Sequence, residues 1–373
     1  MTKLFGVYVH WPYCARICPY CDFNVYKNRA IDAEAWNAAL TGDLENYAAR
    51  TQGRKLTSLY FGGGTPSLAP LPVIEGVIET CERLWGFEPG AEITLEANPT
   101  DAEQSRFEAF ACAGVNRLSL GVQSLRDDAL KFLGRDHDAT AAKRAIEAAQ
   151  GAFPRVTFDL IYGRPGQTLE DWREELSEAL SLGAKHLSLY QLTIEAGTAF
   201  AKAVDKGRWA PPEDDVTADM YDAAQEMTAA AGLPAYEISN HAAPDEESRH
   251  NLVYWTYGDY VGVGPGAHGR LTEDGVRIAT ETALAPPDYL AGAPHQETTL
   301  TQAEAAMERL SMGLRLTAGM SFTEKDPFFA EAGALERLDR LIGDGLLQWD
   351  GETLAATAGG RRILNRLLYE LFA

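Results

Sequence analysis

The strongest constraint on the fold of this chain is a series of six short apolar runs separated by amphipathic stretches. The runs lie at 4–10, 56–62, 91–96, 117–122, 156–163 and 186–194. Each has the length and residue types of a strand, and helical spacing lies between them. This alternation predicts an α/β protein with a parallel sheet of about six strands. The nearly continuous hydrophobicity of the runs fits an open doubly wound sheet or an incomplete (β/α) barrel, and the pattern leaves both open.

The chain changes character after residue 300. A Thr-x-x-Glu cap at 301–304 begins a helix, and Leu335, Leu338 and Leu341 lie on a second helix. Two short strands then flank an Asp-Gly turn at 350–351 and precede a final helix. This order resembles a winged helix. We therefore expect the parallel α/β unit at 1–235, a connecting region packed on it at 236–299, and a small winged-helix-like domain at 300–373.

Charge excludes several classes of partner. The 373 residues include 54 acidic and 33 basic side chains, for a net charge of −21. Such a chain repels phosphates and anionic lipid, so nucleic acid is not an expected partner, even for the winged-helix-like domain. The charge-free run at 56–74 contains three glycines and three prolines, which exclude a membrane helix. The start does not read as a signal peptide, so the expected location is cytoplasmic.

Three of the five cysteines lie within eight residues, as Cys14-x-x-x-Cys18-x-x-Cys21. Three thiolates on one loop can hold three irons of a 4Fe-4S cluster and leave the fourth iron open to a small molecule. The alternative is a structural zinc ion with His10 as the fourth ligand. The other two cysteines, Cys81 and Cys112, fall among apolar helical positions, which predicts that both are buried.

Polar and glycine residues follow several of the predicted strands. Gly63, Gly64 and Thr65 come directly after the second strand, Glu96 and Gln123 end the third and fourth, and Asp159 lies in the fifth. Such side chains meet at one edge of a parallel sheet, so we expect them to converge on a ligand. Each taken alone also fits a helix cap or a loop hydrogen bond.

In order and spacing these residues resemble the radical S-adenosylmethionine superfamily, in the branch with anaerobic coproporphyrinogen III oxidases and HemW-type haem chaperones. The resemblance covers about residues 8–269 and implies an incomplete parallel (β/α) barrel. It implies a 4Fe-4S cluster on Cys14, Cys18 and Cys21. It also implies an S-adenosylmethionine site made of Tyr8, Tyr20, Gly63, Gly64, Thr65, Glu96, Gln123, Arg135 and Asp159. By the same resemblance Tyr8 contacts the methionine end and Tyr20 the adenine, while Arg135 alternatively forms a surface ion pair with Asp136.

Departures from the oxidase pattern favour the chaperone group. The oxidase carries a further cysteine where this chain has Phe23, and a long N-terminal extension where Tyr8 here stands near the first residue. The segment His250 to Trp255 fits the HNxxYW signature of the HemW group. His250 is then the expected ligand to haem iron, and the alternative is a surface-loop histidine beside two core aromatics. The glycine-rich stretch at 262–269 closes the pocket in this interpretation, although His268 also fits a satisfied loop residue.

The expected function is binding of haem and its delivery to acceptor haemoproteins, including acceptors at the membrane. An electron donor such as flavodoxin or ferredoxin is a further expected partner. The enzymatic alternative is oxidative decarboxylation of coproporphyrinogen III to protoporphyrinogen IX. A third possibility is a radical enzyme that methylates haem or opens its ring.

Overall fold

The computed structural model describes residues 4–27, 30–101 and 104–373, and its strands reproduce the predicted series. The strands are β1 Phe5–Trp11, β2 Tyr13–Cys14, β3 Tyr26–Lys27, β4 Leu56–Gly63, β5 Phe87–Ala97, β6 Arg117–Gln123, β7 Arg155–Tyr162, β8 His186–Gln191, β9 Asn240–Ala242, β10 Asp259–Val263, β11 His268–Glu273, β12 Val276–Glu281, β13 Gln296–Thr299, β14 Met320–Ser321, β15 Leu347–Trp349 and β16 Thr353–Ala356. All six predicted strands are present with small differences at their ends.

Helices connect the strands at the predicted places. They are α1 Ala33–Ala48, α2 Leu71–Leu84, α3 Gln104–Cys112, α4 Asp127–Phe132, α5 Ala139–Ala152, α6 Leu169–Ser181, α7 Ala199–Asp205, α8 Asp214–Ala230, α9 Arg249–Trp255, α10 Pro286–Leu290, α11 Gln302–Gly313, α12 Ala334–Gly343, α13 Ala358–Arg362 and α14 Leu364–Phe372. Thr301 forms the capping box expected from sequence and Thr168 forms another, which fixes where α11 and α6 begin.

One eleven-stranded sheet organises most of the chain, in the order β13-β12-β11-β10-β1-β4-β5-β6-β7-β8-β9. Strands β1 and β4 to β8 are parallel to their neighbours, as predicted. The sequence did not reveal β10, which adds a further parallel strand beside β1. Strands β11 to β13 continue antiparallel from β10, and β9 lies antiparallel against β8. Most of the predicted connecting region therefore extends both edges of the sheet.

The two faces of the parallel strands differ sharply, which corrects the reading of these runs as continuously hydrophobic. Val7, Leu59 and Leu118 are representative of the face that packs beneath the helices in the main core. The opposite face lines the interior of the incomplete barrel, called the lumen below. It carries polar side chains, such as Thr94, Ser119 and Thr157. These alternate with the apolar positions, because successive side chains of a strand point to opposite faces.

Charged groups close the lumen at the end where β6 and β7 begin. The Glu92 carboxylate is fully buried and accepts hydrogen bonds from Arg117 (3.3 Å) and Arg155 (3.0 Å). It also accepts from the Ser248 hydroxyl and the His250 backbone amide, both at 3.2 Å, at the start of α9. Glu92 thus neutralises part of the buried positive charge and anchors α9 beneath the barrel.

The C-terminal residues form a second core, built from α11, α12, α14 and the sheet β14-β16-β15. The predicted hairpin is present, with the αL conformation at Gly351 (φ 92°) that its tight turn requires. Leu338 and Leu341 are buried as expected, but Leu335 is 52% exposed and does not belong to the apolar face. The winged-helix likeness and the three domain boundaries stay predictions.

Two further findings concern single features. Cys81 is buried as predicted, whereas Cys112 is exposed at the last turn of α3, so the prediction for Cys112 was wrong.

Among the described residues, no helix combines the length and the apolar character needed to cross a membrane. The expected cytoplasmic location stays a prediction.

Replacing Glu92 with glutamine should strongly destabilise the protein, because it leaves the buried Arg117 guanidinium without its counter-charge. We expect a loss of about 3–5 kcal/mol in the free energy of unfolding, measured by urea denaturation. The control is Glu45→Gln, since Glu45 pairs with Arg83 where both side chains are more than half exposed. That change should cost less than about 1 kcal/mol. Equal losses in the two variants would contradict the role given to Glu92.

Candidate functional site

A cleft of about 350 Å³ opens at the carboxyl ends of the parallel strands. It brings together every predicted site residue except Tyr8 and His250. The predicted residues that line it are Cys14, Cys18, Tyr20, Cys21, Gly63, Gly64, Thr65, Glu96, Gln123, Arg135 and Asp159. The convergence expected from the strand ends is therefore present in the fold. The roles of these residues stay a prediction.

The cysteine loop forms one wall of the cleft. All three of its cysteines are free thiols and partly exposed, and the Cys21 amide donates to the Cys18 carbonyl at 3.2 Å. Burial raises the pKa of the Cys14 thiol, and burial raises that of Cys21 to about 11. Three accessible sulfur atoms on a single loop are a donor set that fits an iron-sulfur cluster.

The zinc alternative requires a free nitrogen on His10, and the geometry disfavours it. His10 lies 3.1 Å from the Tyr8 hydroxyl through Nδ1 and 2.9 Å from the Asn24 carbonyl through Nε2. Both ring nitrogens are thus engaged by other groups. Among the described residues, no three His, Cys, Asp or Glu side chains lie close enough to share one metal ion.

Glycine at 63 and 64 is required by the close approach of two chain segments. Gly63 has φ 104°, and a Cβ atom there would lie 2.7 Å from the His10 ring. A Cβ atom at Gly64 would lie 2.6 Å from the Tyr13 carbonyl oxygen. The Gly64 amide instead donates to Trp11 and the Thr65 amide to Tyr13, at 2.7 and 2.8 Å. These bonds hold the cysteine loop against the floor of the cleft.

Arg135 supplies the positive charge within the cleft. Its Nη1 donates to the Cys18 sulfur at 3.2 Å, and its Nη2 donates to the Gly121 carbonyl at 2.9 Å and to the Asn98 side chain. Its Nε is buried and has no partner among the described residues. Arg135 therefore lies in the site and does not form the alternative ion pair with Asp136. An unpartnered donor beside a thiolate ligand fits an anionic group bound next to the cluster.

Two carboxyl groups lie at the bottom of the cleft. Tyr60 donates a 2.7 Å hydrogen bond to Glu96. Desolvation raises the pKa of Glu96 to about 7, with a further contribution from the charge of Asp159. Desolvation likewise raises the pKa of Asp159 to about 7. Their carboxylates are therefore costly when ionised in the free protein, and a cationic ligand would relieve that cost.

Tyr8 does not line the cleft. Its ring packs beside those of Tyr60 and His250 within the lumen, at a centroid distance of 6.2 Å to each. The predicted contact between Tyr8 and the methionine end of a cofactor is therefore not supported by its position.

His250 is buried, with 1% of its surface exposed, and both ring nitrogens have partners. Nδ1 lies 2.9 Å from the Ser58 hydroxyl and Nε2 lies 2.7 Å from the Tyr254 hydroxyl. The ring stacks on Tyr60 at 4.9 Å, and burial lowers its pKa to about 3. The geometry thus speaks against His250 as a haem-iron ligand and also against a surface-loop position. His250 instead packs the floor of the lumen.

Several cleft residues were not predicted. Asn98 donates to the Thr65 hydroxyl at 2.9 Å, and its place in the Glu-Ala-Asn-Pro segment was a signal that could have found it. Tyr190 is the second-last residue of β8, lines the cleft and is 41% exposed. Ser119 lines both the cleft and a smaller polar cavity of about 50 Å³ beneath it. Ser119 lies within β6, of which only the last residue, Gln123, was predicted, and Tyr190 lies in β8, from which no site residue was predicted.

Comparison with known proteins now separates the possible families. Residues 8–179 match the Radical SAM superfamily. The chain is 37% identical to heme chaperone HemW of Escherichia coli K12, over 100% of this chain and 99% of the relative. It is 38% identical to radical S-adenosyl methionine domain-containing protein 1, mitochondrial, of Danio rerio, over 97% of this chain and 86% of the relative. The chain belongs to the radical SAM superfamily, in the family that contains HemW.

A solved structure supports the same fold. Coproporphyrinogen III oxidase HemN from Escherichia coli superposes with a TM-score of 0.81 over 99% of this chain and 90% of that protein, at 22% identity. The predicted radical SAM fold with an incomplete, open parallel barrel is confirmed. Membership in the superfamily implies a 4Fe-4S cluster and S-adenosylmethionine, and the donor set of the cleft fits both groups.

Binding of S-adenosylmethionine should release protons near neutral pH. The cofactor carries positive charge, so it favours the ionised forms of Glu96 and Asp159, whose pKa values in the free protein are about 7. We therefore expect affinity to fall as the pH decreases from 8 to 6, by up to about tenfold per pH unit for each proton released. Titration calorimetry of the reconstituted protein in buffers of different ionisation enthalpy measures the proton release directly.

Glu96→Gln should reduce this proton release, whereas Glu147→Gln on the exposed face of α5 should leave it unchanged. A proton release that is the same in the wild type and in Glu96→Gln would rule out Glu96 as one of the titrating groups.

Proposed function

We propose that this protein binds haem and delivers it to acceptor haemoproteins, using a 4Fe-4S cluster on Cys14, Cys18 and Cys21 and S-adenosylmethionine in the cleft. The main support is the similarity to HemW along essentially the whole of both chains. The rim of the cleft adds a physical argument. Ile17 and Phe23 are 42% and 63% exposed and face solvent beside the cysteine loop. An open apolar rim suits a flat hydrophobic ligand that must later leave for another protein.

The residues of the cleft have distinct tasks in this proposal. The three thiolates hold the cluster, and Arg135 offsets part of their negative charge through its bond to Cys18. Gly63 and Gly64 give the cofactor backbone to lie against, without a Cβ in the way. Glu96 and Asp159 accept hydrogen bonds from its cationic and hydroxyl groups. When bound, the cluster and cofactor together supply one-electron chemistry.

The oxidase is the second candidate function, favoured by the fold shared with HemN. That similarity is at 22% identity and speaks for the fold alone. Phe23 occupies the place of the additional oxidase cysteine in the resemblance described above. A haem methyltransferase or ring-opening enzyme has no specific observation in its favour. The electron donor and the haem acceptors, including any at the membrane, stay part of the proposal.

The cluster assignment is tested by metal content. After anaerobic reconstitution we expect about four iron and four sulfide per chain, since three thiolates complete such a cluster and leave one iron open. Cys18→Ala should abolish stable uptake, whereas Cys112→Ala, at an exposed cysteine far along the chain, should retain it. Stoichiometric zinc in place of iron after the same reconstitution would overturn the assignment.

Carrier and oxidase are separated by two measurements on the reconstituted full chain. We expect saturable binding of haemin and its transfer to an apo-haemoprotein, because the proposed task ends in release. We expect little or no conversion of coproporphyrinogen III in the presence of S-adenosylmethionine and a chemical reductant. Multiple-turnover formation of protoporphyrinogen IX without haemin binding would favour the oxidase.

A further inference from the structure

The structure points to a different histidine as the haem ligand. Of the seven histidines, six are buried or held by hydrogen bonds: His10, His137, His186, His241, His250 and His295. Within residues 4–27, 30–101 and 104–373, His268 is the one histidine that is exposed and whose ring has no hydrogen-bond partner. An imidazole must present a free nitrogen to bind iron, and His268 does so without any rearrangement of the fold.

Strand register places His268 on the face of the sheet that bears the site. The antiparallel pair Tyr260 and Arg270 sets His268 opposite Gly262, and Gly262 is the parallel partner of Tyr8. Directly opposed residues point to the same face of a sheet, so His268 lies on the lumen side, on the antiparallel extension of the sheet beside β10. The pKa of His10 is lowered chiefly by burial and also by the charge of His268, which fits this proximity.

Exposed apolar side chains lie around the same turn. Leu284 is 56% exposed, and its Cδ2 atom lies 3.2 Å from the position of a Cβ atom on Gly266, two residues before His268. The Asn24 amide donates to the carbonyls of Pro265 (3.0 Å) and Leu284 (2.8 Å). These bonds fix the segment that carries Phe23, which is 63% exposed, beside the turn.

Two exposed cations lie on the chain segment that carries Phe23, with Arg16 on the cysteine loop and Lys27 in β3. Arg16 and Lys27 are both exposed, and neither forms an ion pair with an acid of the described part of the chain. In a molecule with a net charge of −21, unpaired cations at an apolar surface favour a ligand with both a flat apolar body and carboxylates. Haem has this chemistry, with a porphyrin face, two propionates and an iron that takes an axial ligand.

We propose that haem binds on the lateral surface formed by Phe23, Leu284 and His268, with the His268 imidazole as ligand to its iron. This inference rests on the proposed function, because it assigns a binding site to the haem that the protein is proposed to deliver. It places haem beside the cysteine cleft and leaves His250 in its packed position. Arg16 and Lys27 then pair with the propionates.

Haemin titration of the full chain, followed by absorption spectroscopy, tests this site. His268→Ala should lose the spectrum of histidine-ligated haem and bind haemin at least ~10-fold more weakly, the equivalent of about 1.4 kcal/mol. Added imidazole should restore the spectrum by replacing the missing side chain. His295→Ala is the matched control, since the His295 ring is already held by Tyr47 and Asp43, and its spectrum should not change.

The apolar part of the site is tested separately. Leu284→Ser and Phe23→Ser should each weaken haemin binding, whereas Leu335→Ser, at a similarly exposed leucine of α12, should not. Wild-type protein that takes up no haemin would overturn the proposed function together with this inference. Wild-type binding with an unchanged spectrum in His268→Ala would overturn only the inference. Loss of that spectrum in His250→Phe alone would return the ligand role to His250.

Discussion

The rest of the structure depends on one constraint, which is that groups of the protein must provide hydrogen-bond partners for the polar interior of the barrel. The lumen is lined with polar side chains, and hydrogen bonds within the chain stabilise most of them, because burial of an unpaired polar group costs about 1–3 kcal/mol. Glu92 provides several of these partners. Its carboxylate accepts hydrogen bonds from Arg117 and Arg155 and from the backbone amide of His250 at the start of α9. The apolar face of the same strands packs under the helices, so the hydrophobic core surrounds the polar lumen.

The open end of the lumen is arranged differently from the closed end. Glu92 is compensated by two guanidinium groups, whereas Glu96 and Asp159 face each other with raised pKa values of about 7. Because the pKa of each carboxyl group is raised in the folded protein, its ionisation destabilises the fold. The stability that the protonated groups provide at acid pH is therefore lost as the pH rises through 7. Carboxyl groups left in such a position are a feature of ligand sites, since the bound ligand supplies the missing positive charge.

Much of this site was predictable because strand ends and cysteine spacing are local features. Gly63, Glu96 and Asp159 follow from the rule that parallel strands gather ligands at their carboxyl ends. The burial of His250 was not predictable, because its partner Ser58 is 192 residues away and only the assembled sheet brings the two together. Strand β10 was missed for a similar reason. It is five residues long and reads as part of a glycine-rich loop until β1 pairs with it.

The residues of the HNxxYW segment each have a structural role within this chain. One turn of α9 separates His250 from Tyr254, so both face the lumen and bond to each other at 2.7 Å. Asn251 donates to the Tyr236 hydroxyl, and Trp255 lies under the Arg315 guanidinium at 4.6 Å, on the side of the C-terminal unit. Each named position thus has a packing or hydrogen-bonding partner within the chain. The spacing of the signature is explained by a short helix that closes the lumen and contacts the C-terminal unit.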